Sequence, residues 1–187
     1  MGYTTDFNGS FTVTPALKPE HAKYLKEFNG TRRMKRDAAK AGKLSDPIRA
    51  KAKLPVGDEG GYFVGNGDGN PGKAKDEGSF SSCCGQQHDG SILDYNQPPA
   101  GQPGLWCQWV PSDDGARIEW DGCEKFYDYA EWLRYLVEHF LAPWGYTLSG
   151  DVEWQGEGSG DSGVIRVKGN KVHTAGHSRR RGAFKLA

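Results

Sequence analysis

One amphipathic helix places the strongest constraint on the fold of this chain. Its apolar side chains recur every three or four residues, which is the spacing of a single helix face. They are Tyr129, Trp132, Leu133, Leu136, Val137 and Phe140. Asp128 at the predicted N-cap and Glu131 three residues later match a capping box, and Pro143 with Gly145 ends the pattern. A helix with one apolar face needs a second element to cover it, so the segment predicts a packed core.

The segments on either side of this helix predict an antiparallel sheet. Residues 105–110 and 116–120 are rich in aromatic and apolar side chains and flank a Pro- and Asp-containing turn, which indicates a hairpin. After the helix, residues 146–155 alternate apolar and polar side chains, as a half-buried strand does. Gly169 and Asn170 then form a two-residue turn signal between residues 164–167 and 171–173.

The N-terminal region adds one strand and one helix. Residues 3–14 contain a short alternating pattern, and Pro19 opens a helix that Asn29 and Gly30 close. The whole sequence therefore predicts an α+β fold, an antiparallel sheet with one well-defined helix packed on a face, in the order β-α-(long loop)-β-β-α-β-β-β. We expect residues 1–175 to form a single domain with a long Gly-rich insertion at about 54–103, and residues 176–187 to form a basic tail.

Composition narrows the class of protein. Hydrophobic residues make up 36% of the 187 residues, and no apolar run is long enough to span a bilayer. The N-terminus lacks the charged and apolar segments of a signal peptide. Four cysteines without a secretory signal are expected to stay reduced. The sequence thus predicts a cytoplasmic protein with no membrane partner.

The charge of the chain is divided along its length. Residues 18–53 hold 12 Lys and Arg against 4 Asp and Glu, whereas residues 101–172 hold 6 against 12. A cluster of cations can neutralise phosphates, so nucleic acid is one alternative partner. Its candidate ligands are Arg32, Arg33, Lys35 and Arg36, together with the C-terminal run Arg179, Arg180 and Arg181. A solvated basic face is the other interpretation of the same residues.

Two sets of residues are candidate chemical sites. Cys83, Cys84 and His88 could ligate zinc, but a structural zinc site usually has four ligands in two pairs, and no second pair exists. We therefore expect no metal and no cofactor. A hydrolase with a carboxylate cluster is a further alternative function, because acidic residues fall at the ends and exposed faces of the predicted strands. Its residues are Glu119, Asp121, Glu153 and Glu157.

Two tryptophans give the leading functional hypothesis. Trp106 and Trp109 are three residues apart in one predicted strand, so one of them should face away from the helix-covered side and anchor a partner. No recognisable catalytic motif accompanies them. The favoured function is a non-catalytic binding or accessory protein that acts through a macromolecular partner, which we expect to be a protein.

Three blocks carry a resemblance to known sequences. They are GQPGLWCQW, EWDGCEKFYDYAEWLRYL and WQGE, within residues 96–172, together with the opening GYTTDFNGSFTVTPALKPEHAKYL. In these blocks the chain resembles a family of small hypothetical proteins from bacterial and phage-like genomes. That family has no assigned activity, so the resemblance implies a phage or mobile-element accessory role and transfers no functional residue.

Overall fold

The structure, a computed structural model, describes residues 2–66 and 89–176, and the backbone alone of residues 185–186. The chain divides into two compact units. Unit 1 joins Met1–Lys18 to Gln108–Ala187, and unit 2 is Pro19–Cys107. The single-domain organisation stays a prediction.

Short helices and strands follow one another along the chain in both units. In chain order they are β1 (Thr5–Gly9), β2 (Phe11–Thr14), α1 (Pro19–Gly30), β3 (Lys35–Arg36), α2 (Ala38–Ala41), α3 (Pro47–Lys51), a 3₁₀ turn (Asp58–Gly60), β4 (Ile92–Asp94), β5 (Trp109–Pro111), β6 (Arg117–Trp120), α4 (Tyr129–Leu136), a π-helical turn (Val137–Leu141), β7 (Thr147–Gly156), β8 (Ser162–Lys168), β9 (Lys171–Gly176) and β10 (Lys185–Leu186).

Unit 1 is an antiparallel sheet with a helix packed on it. The strand order is β10-β9-β8-β7-β2-β6-β5, and β1 pairs with the far end of β7. Helix α4 contacts β5 and β9. The side chains that face α4 form an apolar core because alternate residues of each strand point to the same side. The predicted α+β class with an antiparallel sheet is therefore confirmed.

Helix α4 has the predicted apolar face but not the predicted cap. Trp132, Leu133 and Leu136 are at most 1% exposed. Asp128 precedes the helix in the left-handed conformation, with φ 53° and ψ 34°, and its side chain makes no capping hydrogen bond. The capping box is therefore wrong, since that backbone conformation replaces the extended one in which an N-cap side chain reaches back to the first turn.

Two hairpins test the strand predictions. The first is shorter than predicted, because only Trp109–Pro111 pairs with β6 and residues 105–108 are not a strand. The second is confirmed: β8 and β9 meet at Gly169 and Asn170, whose φ values of 55° and 69° suit a tight turn between twisted strands.

Unit 2 has a small core built around α1. The buried side chains include Tyr24, Leu25 and Phe28 from α1 and Phe63 from the segment after the 3₁₀ turn. The hydroxyl of Tyr24 donates to the carbonyl of Tyr62 at 2.9 Å, which ties that segment to α1. Strands β3 and β4 pair as a two-stranded sheet. Part of the predicted insertion at 54–103 is thus regular structure.

Gly163 in β8 gives a first testable prediction about the packing of unit 1. A Cβ atom there would meet the backbone carbonyl of Ala175 and would lie 2.7 Å from the indole of Trp154. Because backbone atoms of a paired strand cannot move aside, Gly163→Ala should lower the free energy of unfolding by about 3 kcal/mol. Gly160→Ala is the matched control, since nothing lies within 4 Å of its Cβ position. Equal urea midpoints for the two variants would contradict this close packing between β7, β8 and β9.

Candidate functional site

The two predicted tryptophans lie in different environments. Trp109 is 1% exposed and opens β5, and its indole Nε1 donates to the carbonyl of Tyr129 at 2.8 Å. Its ring contacts Phe7 and Phe126 edge to face. Trp109 is therefore a core residue and is inaccessible to a partner. Trp106 is half-buried in unit 2 and lies before β5, so the two residues do not share a strand as predicted.

Two of the four predicted phosphate ligands are buried inside unit 2. Arg33 and Arg36 are each 2% exposed. Arg33 donates from Nη2 to the carbonyl of Phe63 at 2.7 Å, and its guanidinium lies over the ring of Phe28. Arg36 pairs with Asp89 at 2.6 Å. The assignment of these two arginines to nucleic acid is therefore wrong, because their guanidinium groups bind partners within the fold.

The other two cations are closer to the surface. The amine of Lys35 pairs with Glu59 at 2.8 Å. The hydrogen bond from Lys35, and then one from the backbone N–H of Ala100, lower the pKa of the Glu59 carboxyl. Arg32 differs from Lys35 because no carboxylate forms an ion pair with it in residues 2–66 and 89–176.

The predicted acidic cluster is not one site. Glu119 and Asp121 lie in and just after β6, whereas Glu153 and Glu157 lie in and just after β7, and β2 separates the two strands. Their contacts also differ. Glu119 pairs with Arg117 at 3.8 Å, Asp121 accepts from the N–H of Cys123, and Glu157 accepts from the N–H of Thr4. Within the described part of the chain no three His, Cys, Asp or Glu residues are placed to hold a metal.

Glu153 lines a trough on the surface of unit 1 that has both polar and aromatic walls. The trough has a volume of about 450 Å³, and Asp6, Asn8 and Gln155 also line it. Gln155 donates its amide hydrogens to the carbonyls of Gly156 and Gly158 in the turn that follows β7. The remaining candidates, Cys83, Cys84, His88, Arg179, Arg180 and Arg181, lie outside the described residues.

Arg32, a predicted phosphate ligand, lies in one cluster with Trp106, a predicted anchor for a protein partner. Its Cζ lies 4.3 Å from the centre of the Tyr95 ring and 6.0 Å from that of Trp106. Its Nε donates to the carbonyl of Tyr95 at 3.1 Å, and its Nη2 donates to Oδ1 of Asn96 at 3.1 Å. We call Arg32, Tyr95, Asn96 and Trp106 the Arg32 patch.

Backbone hydrogen bonds hold the three segments of the Arg32 patch together. Helix α1 ends just before the patch, where the hydroxyl of Thr31 donates to the carbonyl of Glu27 at 2.6 Å. The N–H of Arg33 then donates to the carbonyl of Leu105 at 2.9 Å, and that of Lys35 donates to the carbonyl of Gln97 at 2.7 Å. These bonds lie on either side of Arg32 and fix the loops that carry Trp106 and Tyr95.

The arrangement suits recognition of an anionic group. Stacking on an aromatic ring orients a guanidinium and restricts its rotation. Arg32 uses two of its donor positions within unit 2, which leaves Nη1 without a hydrogen bond to any described residue. Trp, Tyr and Arg are also the residues that dominate the energy of protein interfaces.

Sequence reasoning identifies two of the four members of the patch and misses Tyr95 and Asn96. Arg32 and Trp106 belong to separate hypotheses, one for nucleic acid and one for protein. Tyr95 is 63 positions from Arg32 and has no local signal. The aromatic residues nearest to Arg32 in sequence, Tyr24 and Phe28, are fully buried.

Comparisons with known proteins assign no family to the chain. No family model, no curated protein and no solved structure matches it. The resemblance to small hypothetical proteins of phage-like genomes stays a prediction. No helix in the described ranges is long and apolar enough to cross a membrane.

Proposed function

We propose that this chain is a non-catalytic binding protein that docks a protein partner on the Arg32 patch. The observation that supports this most is the guanidinium of Arg32, which is stacked 4.3 Å from Tyr95 without a carboxylate partner among the described residues. A planar, oriented guanidinium with free N–H groups matches the two oxygens of a carboxylate. The proposed partner segment therefore contains Asp or Glu and an apolar residue that packs against Trp106.

A protein partner explains the patch better than nucleic acid does. Of the four predicted phosphate ligands, Arg33 and Arg36 are buried and Lys35 is paired with Glu59. Of these four residues only Arg32 is left available, and one cation neutralises too few phosphates for appreciable nucleic-acid binding. Arg179, Arg180 and Arg181 lie outside the described residues. A cytoplasmic, phage or mobile-element accessory role is part of the same proposal and rests on the sequence alone.

The test compares capture by the wild-type chain with capture by three variants. Truncating a hot-spot residue costs roughly 2 kcal/mol, which is about thirtyfold in affinity. Trp106→Ala and Arg32→Ala should each remove at least that much of the binding of a partner captured from the native host and then purified. Lys43→Ala is the matched control, because Lys43 is an exposed cation of unit 2 outside the patch.

Binding constants for the purified partner decide the outcome. Affinity that falls equally for Lys43→Ala and Arg32→Ala would indicate a general charge effect and would contradict the proposal. Capture that disappears after nuclease treatment would transfer the function to nucleic acid. Circular dichroism of each variant checks that the fold is retained.

A further inference from the structure

The loop of residues 95–106 carries three of the four members of the Arg32 patch, and one carboxylate holds its middle. The N–H of Ala100 donates to Oε2 of Glu59 at 2.8 Å. The other oxygen of that carboxylate, Oε1, pairs with the amine of Lys35 at 2.8 Å. Glu59 therefore joins the loop to β3. We call its contacts with Ala100 and Lys35 the Glu59 latch.

Glu59 has a backbone conformation that a glutamate rarely adopts. Its φ is 51° and its ψ is 28°, in the left-handed region, inside the 3₁₀ turn Asp58–Gly60. That region is unfavourable for a residue with a Cβ, whereas glycine adopts it readily. A residue held in such a conformation is a candidate functional position. The carboxylate that reaches Ala100 and Lys35 is what Glu59 contributes here and a glycine would lack.

The turn that carries Glu59 is a fixed support inside unit 2. Gly60, the next residue, has φ 72°, and a Cβ there would lie 2.8 Å from the Cβ of Arg36. Arg36 is 2% exposed, so the turn packs directly on a buried side chain. The carbonyl of Gly61 accepts from the side-chain amide of Gln102, a residue of the same loop, at 2.6 Å. The support is therefore in place on the side of the turn from which Glu59 reaches the loop.

Lys35 attaches the loop at a second point. Its backbone N–H donates to the carbonyl of Gln97 at 2.7 Å, while its amine pairs with Glu59. The side chains of Lys35 and Glu59 are 35% and 29% exposed, and an ion pair so open to water contributes little to the free energy of unfolding. We therefore expect the Glu59 latch to act on the order of the loop and not on the stability of unit 2.

We propose that Glu59 is a positioning residue that holds the loop of residues 95–106 and thereby sets the affinity of the Arg32 patch. This inference rests on the function proposed for that patch. When the latch is closed, the ring of Tyr95 stays against the guanidinium of Arg32 and a partner meets a formed surface. When it is open, only a fraction of the molecules present that surface, and the apparent affinity falls by the same fraction.

Glu59→Gly separates the latch from the stability of unit 2. The variant removes the carboxylate but also relieves the left-handed backbone, so the urea midpoint should not fall. NMR of the full-length chain should show that the amide proton of Ala100 exchanges with solvent about tenfold faster, because its acceptor is gone. The Nε–H of Arg32, which donates to the carbonyl of Tyr95, should also exchange faster. Glu59→Gln keeps an acceptor oxygen without the charge and should give intermediate rates.

Lys53→Gly is the matched control for Glu59→Gly. Lys53 is an exposed residue of unit 2 that is also left-handed, with φ 58°, and it lies outside the Arg32 patch. Its replacement relieves the same kind of backbone and should leave the exchange rates of Ala100 and Arg32 unchanged.

An acetylated Gly-Glu-Leu-Glu-Gly peptide is the probe for binding, because it supplies carboxylates and one apolar side chain. Titration followed by NMR chemical shifts should show binding to Glu59→Gly that is about fivefold weaker than to the wild type, and unchanged binding to Lys53→Gly. Arg32→Ala measures the loss of the patch itself.

The two measurements separate the latch from the patch. Unchanged exchange at Ala100 and at the Nε–H of Arg32 in Glu59→Gly would overturn the latch, whatever the peptide does. Faster exchange with unchanged affinity would also overturn the proposal, because the latch would then not serve binding. Equal binding of the peptide to the wild type and to Arg32→Ala would instead contradict the proposed function, and the exchange rates alone would then decide whether Glu59 holds the loop.

Discussion

Trp109→Ala is expected to cost about 3–5 kcal/mol of the free energy of unfolding, the largest effect that we predict. The indole of Trp109 is 1% exposed, contacts Phe7, Phe11 and Phe126, and donates to the carbonyl of Tyr129. Alanine would leave a cavity among these rings and would remove the indole hydrogen bond to the first carbonyl of α4. Because domains of this size are stable by only about 5–15 kcal/mol, much of the stability of unit 1 would be lost.

Trp106→Ala is the matched comparison, since it makes the same chemical change three residues earlier. Trp106 is half-buried, so its loss should cost no more than about 1 kcal/mol. Urea denaturation followed by tryptophan fluorescence and far-ultraviolet circular dichroism measures both variants. A Trp109→Ala protein as stable as the wild type would contradict the aromatic core of unit 1. A Trp106→Ala protein as unstable as Trp109→Ala would show that Trp106 is structural and would remove its role as an anchor.

Arg36→Ala is the second large prediction, with an expected loss of about 3–5 kcal/mol from unit 2. The guanidinium of Arg36 pairs with Asp89 at 2.6 Å, donates to the hydroxyl of Ser91 at 2.7 Å and lies 4.5 Å from the ring centre of Phe63. Removing it leaves the Asp89 carboxylate, whose side chain is 10% exposed, without its cation. A charge left unpaired in that position is unfavourable because water cannot replace the lost partner.

Arg117→Ala provides the control for Arg36→Ala. Arg117 is also an arginine with acidic partners, Asp114 at 3.5 Å and Glu119 at 3.8 Å, but its side chain is 46% exposed. Its loss should cost less than about 1 kcal/mol, since exposed pairs are solvated in either state. Urea denaturation measures both variants. A double-mutant cycle of Arg36→Met and Asp89→Asn adds a sharper test, because the double variant should lose less than the two single losses added together. Additive losses would show that the pair is not coupled.

Local patterns in the sequence were sufficient to predict the fold class. The apolar stripe of α4 and the alternation of β7 depend only on the geometry of a helix and of a strand. The turn at Gly169 and Asn170 follows from the backbone conformations that these two residues adopt readily. The capping pattern failed at Asp128, whose left-handed backbone leaves α4 without its predicted cap.

The burial of the charged side chains is the property that the sequence predicted least well. Arg32, Arg33 and Arg36 lie within five positions and look alike as a basic run. The tertiary structure separates them, because Arg33 and Arg36 stack on Phe28 and Phe63 inside unit 2 whereas Arg32 stacks on Tyr95 near the surface. Burial of an arginine depends on carbonyls and rings from remote segments, and a run of cations contains no information about those partners.

Trp106 and Trp109 are only three positions apart, and they too lie in different environments. The sequence predicted an aromatic core, and it predicted that Trp106 and Trp109 would differ in exposure because it placed both of them in one strand. Only Trp109 lies in a strand. Only the tertiary structure decided which of them is buried. Trp109 begins β5, whose pairing with β6 places the indole among Phe7, Phe11 and Phe126, whereas Trp106 precedes the strand and lies near Arg32. Phe7 and Phe11, which enclose Trp109, come from β1 and β2 about one hundred positions earlier in the chain, and local sequence does not encode such contacts.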